Sequence, residues 1–203
     1  MKILFIAVDM QKDFMDRDGK LYVQGSEEIK NNIKDLSKKM DKLATHIFYT
    51  MDWHEENDPE FSDNPDFIKT FPPHCIAGTR GAWLIPESIV GNIYPNDDNN
   101  LDNRVLIFHK NKFSVFEGSN LFLDTLNAYA YFDRIYVSGV SGNICVKHVI
   151  DGLLEHRGKE FDFGTMYIVE DCIASINPDT FNTYLTNLML EYDFIKVIKK
   201  DSI

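Results

Sequence analysis

The chain has 203 residues, 44% hydrophobic and 26% charged, which is ordinary for a globular protein with enough chain to bury a real core. Its 32 acidic residues outnumber 21 basic ones, for a net charge of −11, and no basic stripe is present to neutralise phosphates, which argues against nucleic acid as a partner. No apolar run approaches the roughly 20 residues that span a bilayer, so no membrane partner is expected. Met1 leads directly into a strand pattern, without a leader-like basic and apolar segment. Three cysteines, Cys75, Cys145 and Cys172, lack the spacing of a disulfide framework, and a cytoplasmic protein with reduced thiols is the expectation.

Taken in chain order, apolar runs rich in β-branched residues alternate with helical patterns. Ile3 to Val8 reads as a strand that stops at Asp9, and Ser26 to Leu43 as a helix with Ile29, Ile33, Leu36 and Met40 on one face. A strand over His46 to Thr50 stops at Asp52-Trp53-His54. The segment 52–103 then breaks the rhythm: it is rich in Pro, Gly, Asp and Asn, yet holds Trp53, Phe61, Phe67, Phe71 and Trp83, too many aromatics for a disordered linker. Its first half reads as an ordered loop over the site, and 86–103 as either a lid or a surface excursion.

Val105 to Phe108 runs into His109-Lys110, and Gly118-Ser119-Asn120 opens a helix carrying Leu121, Leu123, Leu126 and Tyr129. The run Ile135 to Val140 leads through Ser141-Gly142-Asn143 to Cys145, at the start of a helix continuing through Val149, Ile150 and Leu153. Met166 to Val169, Pro178 to Leu190 and Phe194 to Ile198 read as strand, helix and strand. The pattern predicts one α/β domain over 1–203. It is a three-layer, doubly wound, mostly parallel sheet of about six strands with helices on both faces. Ligands bind such a sheet at the carboxyl ends of its strands, where the reactive residues above would meet.

Four groups there carry chemistry. Asp9 is a candidate general base for a thiol, although turn aspartates are common. Lys110 would hold Asp9 ionised and lower the thiol pKa, or else is a surface lysine. Cys145 sits in the first turn of a helix, where the macrodipole and free N–H groups favour a thiolate and an oxyanion site. Most free cysteines, however, are small core residues, the reading given to Cys75 and Cys172. Asp52-x-His54 with Glu60 and His74 has metal-ligand composition, because alternate residues of an extended segment share a side. On spacing alone it is equally a polar loop.

Together these segments resemble the nicotinamidases within the isochorismatase-like cysteine hydrolases. The resemblance lies in Val8-Asp9-Met10-Gln11-Lys12-Asp13-Phe14, and in Asp52-Trp53-His54 through Phe71-Pro72-Pro73-His74-Cys75. It continues in Ala77 to Ala82, Lys110 to Leu121, and Gly139-Val140-Ser141-Gly142-Asn143-Ile144-Cys145-Val146, in an order covering nearly the whole chain. The resemblance implies a triad of Asp9, Lys110 and Cys145. It selects Lys110 over Lys112 because the lysine stands three residues before the aromatic Phe113.

It also implies a cis peptide bond between Val140 and Ser141, with the Ser141 and Cys145 N–H groups as oxyanion donors. One divalent metal would sit on Asp52, His54, Glu60 and His74, zinc before manganese or iron, with Asp63 and Asp66 as replacements for Glu60. Phe14 and Phe71 would pack on a flat ring. The implied reaction is hydrolysis of nicotinamide to nicotinate and ammonia through a cysteine thioester, feeding NAD salvage. The alternative is another small amide or carbamoyl substrate. A homo-oligomer is compatible with the fold. Departures from the family pattern lie in Ser141-Gly142-Asn143-Ile144, where Ala-Thr-Asp is usual, in Phe71 for a tryptophan, and in Asp171-Cys172 for Asp-Ala. They touch the pocket wall more than the triad.

Overall fold

The structure, a computed structural model, describes residues 1–90 and 102–203. Six parallel strands form one sheet: β1 (Ile3–Val8), β2 (His46–Asp52), β3 (Val105–Lys110), β4 (Tyr131–Gly139), β5 (Asp162–Ile173) and β6 (Ile195–Ile198), in the order β3-β2-β1-β4-β5-β6. Every strand pair is parallel, where a mostly parallel sheet was expected. All six residues of β1 are buried, as its unbroken apolar run requires of a central strand covered on both faces. Helix α2 (Lys30–Leu43) covers one face through Ile33, Leu36 and Met40, packed with Phe5, Ile47, Tyr49 and Tyr136. Helices α4 (Asn120–Tyr129), α5 (Lys147–His156) and α6 (Pro178–Glu191) cover the other, against Leu4, Ile6, Phe48 and Val137. Two short helices, α1 (Lys12–Met15) and α3 (Val115–Gly118), follow β1 and β3.

The chain winds outward from β1 through β2 to β3, then returns to place β4 on the other side of β1. The direction of winding reverses between β1 and β4, and a crevice opens at such a switch point beyond the strands' carboxyl ends. Register fixes what stands there: Val8 pairs with Thr50 and with Gly139, and Asp52 with Lys110. Asp9, Asp52, Lys110 and the segment after β4 are thereby brought to one edge.

Several boundaries differ from the sequence reading. Helix α2 starts at Lys30 rather than Ser26, because the buried Ser26 hydroxyl donates to Phe14 O at 3.0 Å and is spent on tying down the turn after α1. Strands β4 and β5 each begin four residues before their apolar runs. Parallel pairing of Tyr131 with Asp162 and of the buried Phe132 with Phe163 extends them through segments that mix polar and apolar residues. The segment from Gly142 to Val146 is a π-helical turn, and regular α-helix begins only at Lys147. Of 86–103, residues 91–101 lie outside the described residues. Before them, the Ser88 carbonyl accepts from Tyr49 Oη at 2.7 Å, and after them Arg104 pairs with Asp102. Among the described residues, no helix is long and apolar enough to cross a membrane.

Gly139 ends β4 with φ +130°, and a Cβ there would stand 2.0 Å from Val8 O, in the adjoining strand. Gly139→Ala should therefore lower stability by roughly 2–4 kcal/mol in urea unfolding. Wild-type stability in that variant would mean that β1 and β4 are not held this closely.

Candidate active site

Lys110 is the centre of the site. Its Nζ lies 2.8 Å from Asp52 Oδ1, 2.8 Å from Asp9 Oδ2 and 3.8 Å from Cys145 Sγ. All four side chains are buried. The contact with Asp52 is a hydrogen bond, whereas Asp9 Oδ2 has no well-aligned donor and meets Lys110 as charge on charge. The other Asp9 oxygen accepts the Thr50 hydroxyl at 2.6 Å. Asp9 itself has φ +47°, a left-handed conformation that aspartate tolerates better than most residues. Its N–H donates to Thr50 O at 3.1 Å, so β2 fixes both ends of the residue. Gln11 braces the next strand end: its side chain donates to Asp52 O and accepts from Asp52 N at 2.7 Å.

One lysine between two carboxylates treats them unequally. Burial pushes both upward. Lys110, with His54 and His74, holds Asp52 well below the usual carboxylate range, while burial prevails at Asp9, aided by its neighbour Asp52. Burial would lower Lys110, but Asp52, Asp9 and Cys145 raise it well above a free lysine, so it stays charged. At Cys145 the balance of charges and burial runs against the expected thiolate. Burial raises the thiol well above its ordinary value, Lys110 only partly opposes this, and Asp9 and Asp52 add to it. The helix-start argument fails because the residue lies inside a buried π-helical turn among acids. Cys145 thus lies buried beside Lys110, with burial and the two carboxylates pushing its thiol upward.

The second oxygen of Asp52 belongs to a different cluster. Oδ2 lies 3.2 Å from His74 Nε2 and 3.3 Å from His54 Nε2, and Glu60 Oε1 lies 3.6 Å from His54 Nε2 and 3.9 Å from His74 Nε2. Bonds of about 2.0–2.1 Å in a tetrahedron separate ligand atoms by about 3.3–3.4 Å, so Asp52, His54 and His74 form a compact group that fits one small divalent ion, with Glu60 at its edge. Both histidines have Nδ1 engaged, His54 with Asp58 Oδ2 at 3.0 Å and His74 with Pro72 O at 2.9 Å. Such partners orient Nε2 toward a metal, and His54 Nε2 is buried without a hydrogen-bond partner. Burial would lower His54, yet Asp52, Asp58 and Glu60 drive it up to about 9, a measure of the negative charge gathered there. Glu60 is the outermost of the four, and burial raises its pKa.

A cavity of about 480 Å³ joins the two clusters, with Asp52, Glu60 and His74 on one side and Ser141 and Cys145 on another. Phe14 and Phe71 both line it and stand 5.6 Å and 6.2 Å from the His74 ring. Phe67, Phe113, Ile144 and Ile176 complete an apolar wall. The Val140–Ser141 peptide is cis, as the resemblance implied, and the Ser141 N–H has no internal hydrogen bond among the described residues.

The structure thus gathers Asp9, Lys110 and Cys145, and beside them Asp52, His54, Glu60 and His74. It leaves out Lys112 and Asp63, both exposed, and Asp66, whose Oδ1 is taken by the N–H groups of Ile68, Lys69 and Thr70. Cys75 and Cys172 are buried core residues. Thr50, Gln11 and Asp58 were missed by sequence reasoning. Thr50 alone had a signal, lying two residues before Asp52 on the same strand and hence on the same side of β2.

A six-stranded parallel α/β fold with reactive groups at its switch point is the architecture of many small-molecule enzymes. The chain belongs to the isochorismatase family: the isochorismatase domain matches residues 3–201. A nicotinamidase/pyrazinamidase of Mycobacterium tuberculosis is 38% identical over 82 residues, 40% of this chain and 42% of that protein, so the match spans about two fifths of the relative's length. The structure of a pyrazinamidase/nicotinamidase from Streptococcus mutans superposes with a TM-score of 0.74 at 27% identity, covering 97% of this chain and 100% of that one. That of a Pyrococcus horikoshii pyrazinamidase in complex with zinc superposes at 0.73 and 26% identity, covering 98% and 99%.

If Asp58 orients His54 for an ion, Asp58→Ala should weaken zinc affinity about 10–100-fold with all four ligands intact. Competition against a chromophoric chelator measures this. Unchanged affinity would remove Asp58 from the centre.

Proposed function

We propose that the protein is a cysteine amidohydrolase that converts nicotinamide to nicotinate and ammonia, feeding NAD salvage. The observation that carries this reading is the buried Asp9–Lys110–Cys145 constellation opening into one apolar cavity with the Asp52/His54/Glu60/His74 donor set. Relatives named for nicotinamidase activity support the substrate.

Asp9, Lys110 and Cys145 are the catalytic residues in this reading. Asp9 takes the proton from Cys145 as sulfur attacks the amide carbon. Its raised pKa suits a group that must accept a proton and return it. Lys110 stays charged and offsets the negative charge that moves from carboxylate to thiolate. The Ser141 and Cys145 N–H groups receive the tetrahedral oxyanion, where losing one donor typically costs about 2.7–4 kcal/mol of barrier. Asp9 then protonates the departing ammonia, leaving a thioester. Water attacks it, giving a proton to Asp9, and collapse releases the carboxylic acid and restores the thiol. Phe14 and Phe71 hold the ring flat in the cavity. An ion on Asp52, His54, Glu60 and His74, zinc ahead of manganese or iron, would supply Lewis acidity and an anchor for a ring nitrogen.

A second reading keeps the triad and changes the amide. The exposed Phe67 and Ile176 at the cavity wall favour a small amide or carbamoyl substrate with apolar surface beyond the ring.

The deciding experiment is ammonia release from nicotinamide and a panel of small amides by protein stripped of metal and reloaded with zinc, manganese or iron. Metal-restored turnover of nicotinamide is expected, with Cys145→Ala reduced at least about 10³-fold. Turnover retained in Cys145→Ala would exclude the thioester route, and turnover of another amide alone would select the second reading.

A further inference from the structure

The oxyanion donors stand on 141–145, where Ile144 N and Val146 N donate to Ser141 O at 3.0 and 3.1 Å in the π-helical turn, and one side chain gathers further restraints. The Asn143 carboxamide oxygen accepts from Ser175 Oγ at 2.7 Å, from Ser141 Oγ at 3.1 Å and from Asn177 N at 3.2 Å. Ser141 Oγ accepts in turn from Ile176 N at 3.1 Å, and Asn143 N donates to Ser175 Oγ at 3.2 Å. Gly142 N donates to Ala174 O at 2.8 Å. The segment is also pressed close, since a Cβ on Gly142 would stand 2.8 Å from Phe181 and 3.1 Å from Ile173. The loop after β5 is itself anchored, because Asn177 caps α6 by accepting from Thr180 N at 3.0 Å.

We propose that Asn143 is a positioning residue: its side-chain oxygen clamps Ser141 to the 174–177 loop and so aims the Ser141 N–H at the oxyanion. This rests on the reading of Ser141 and Cys145 as oxyanion donors. The Asn177 N–H can only donate, so it fixes which end of the carboxamide faces the cluster, and the two hydroxyls donate to the same oxygen. The Ser141 hydroxyl accepts from Ile176 N of the loop and donates to Asn143 Oδ1, which leaves the residue's backbone N–H little freedom. The role demands an acceptor oxygen at 143 and is indifferent to the rest of the side chain.

Two reactions of the same sulfur separate positioning from general damage. With 4-nitrophenyl acetate, the sulfur bonds to the acetyl carbon through a tetrahedral oxyanion, the aryl C–O bond breaks, and nitrophenolate leaves with the electron pair. With iodoacetamide, the sulfur displaces iodide and no oxyanion forms; in both reactions Asp9 takes the thiol proton. Asn143→Ala should slow acylation about 10–100-fold, the cost of misplacing a donor, while alkylation changes by less than about twofold. Asn143→Asp, which keeps the acceptor, should recover most of the acylation rate. Ser175→Ala, which removes the shortest bond to Asn143, gives an intermediate loss and serves where Asn143→Ala does not fold.

Acylation at the wild-type rate in both alanine variants would overturn the clamp. So would equal losses in both reactions, which mark a structural role, or an aspartate variant as slow as the alanine. A wild-type protein with no acylation advantage over glutathione, each relative to its own alkylation rate, would instead defeat the oxyanion reading beneath the proposal.

Discussion

A single buried ammonium holds this site together. Lys110 stands between Asp9 and Asp52 with no exposed surface on its side chain. A charge so placed is tolerable only while its partners remain, and removing one partner of such a pair typically costs about 3–5 kcal/mol. The sheet supplies the partners by register. β3 lies beside β2, so Lys110 faces Asp52 across one strand pair, and β2 lies beside β1, which ends at Asp9. Cys145 arrives from the opposite side of β1, after β4. Strand order therefore decides that the thiol meets the acid–lysine pair.

Asp52 makes the two halves of the site one electrostatic system. One of its oxygens is bound to Lys110, and the other faces His54 and His74. Any cation on the second oxygen competes with Lys110 for the same carboxylate charge, which leaves more of the lysine's field for Asp9 and the thiol. Coupling of this kind runs through two oxygens of one side chain and needs no moving part. The same charges act on the thiol, where burial and the two carboxylates push its pKa up and one lysine opposes them.

Much of this was legible in the sequence because an apolar run that forms a parallel strand delivers the residue after it to the carboxyl edge of the sheet. The run Ile3 to Val8 matched β1 residue for residue, and Asp9 came next. The strand ends at Asp52 and Lys110 were legible for the same reason, although choosing Lys110 over Lys112 needed the family pattern. Other features left no trace in one dimension. Asp58 sits in a loop crowded with acids, and nothing local marks it as the partner of His54. Ser26 looks like a helix cap until Phe14 O is brought beside it. The thiolate expectation counted a helix start and could not count the burial and the two acids that push the Cys145 thiol upward.

Of the departures from the family pattern, Ser141 to Ile144 and Phe71 lie outside the sheet, and Asp171-Cys172 lie near the end of β5. Asp9, Asp52 and Lys110 stand at strand ends, and their positions are set by register, so exchanging a neighbour scarcely moves them. Ser141, Gly142 and Asn143 lie on a segment held by side-chain hydrogen bonds to another loop. There each residue is part of the support, and a changed residue requires changed partners. Ser175 and Asn177 are such partners for Asn143. The acid–lysine pair is thus placed by the sheet, whereas Ser141 and Asn143, with the adjoining wall of Ile144 and Ile176, are placed by hydrogen bonds between two loops.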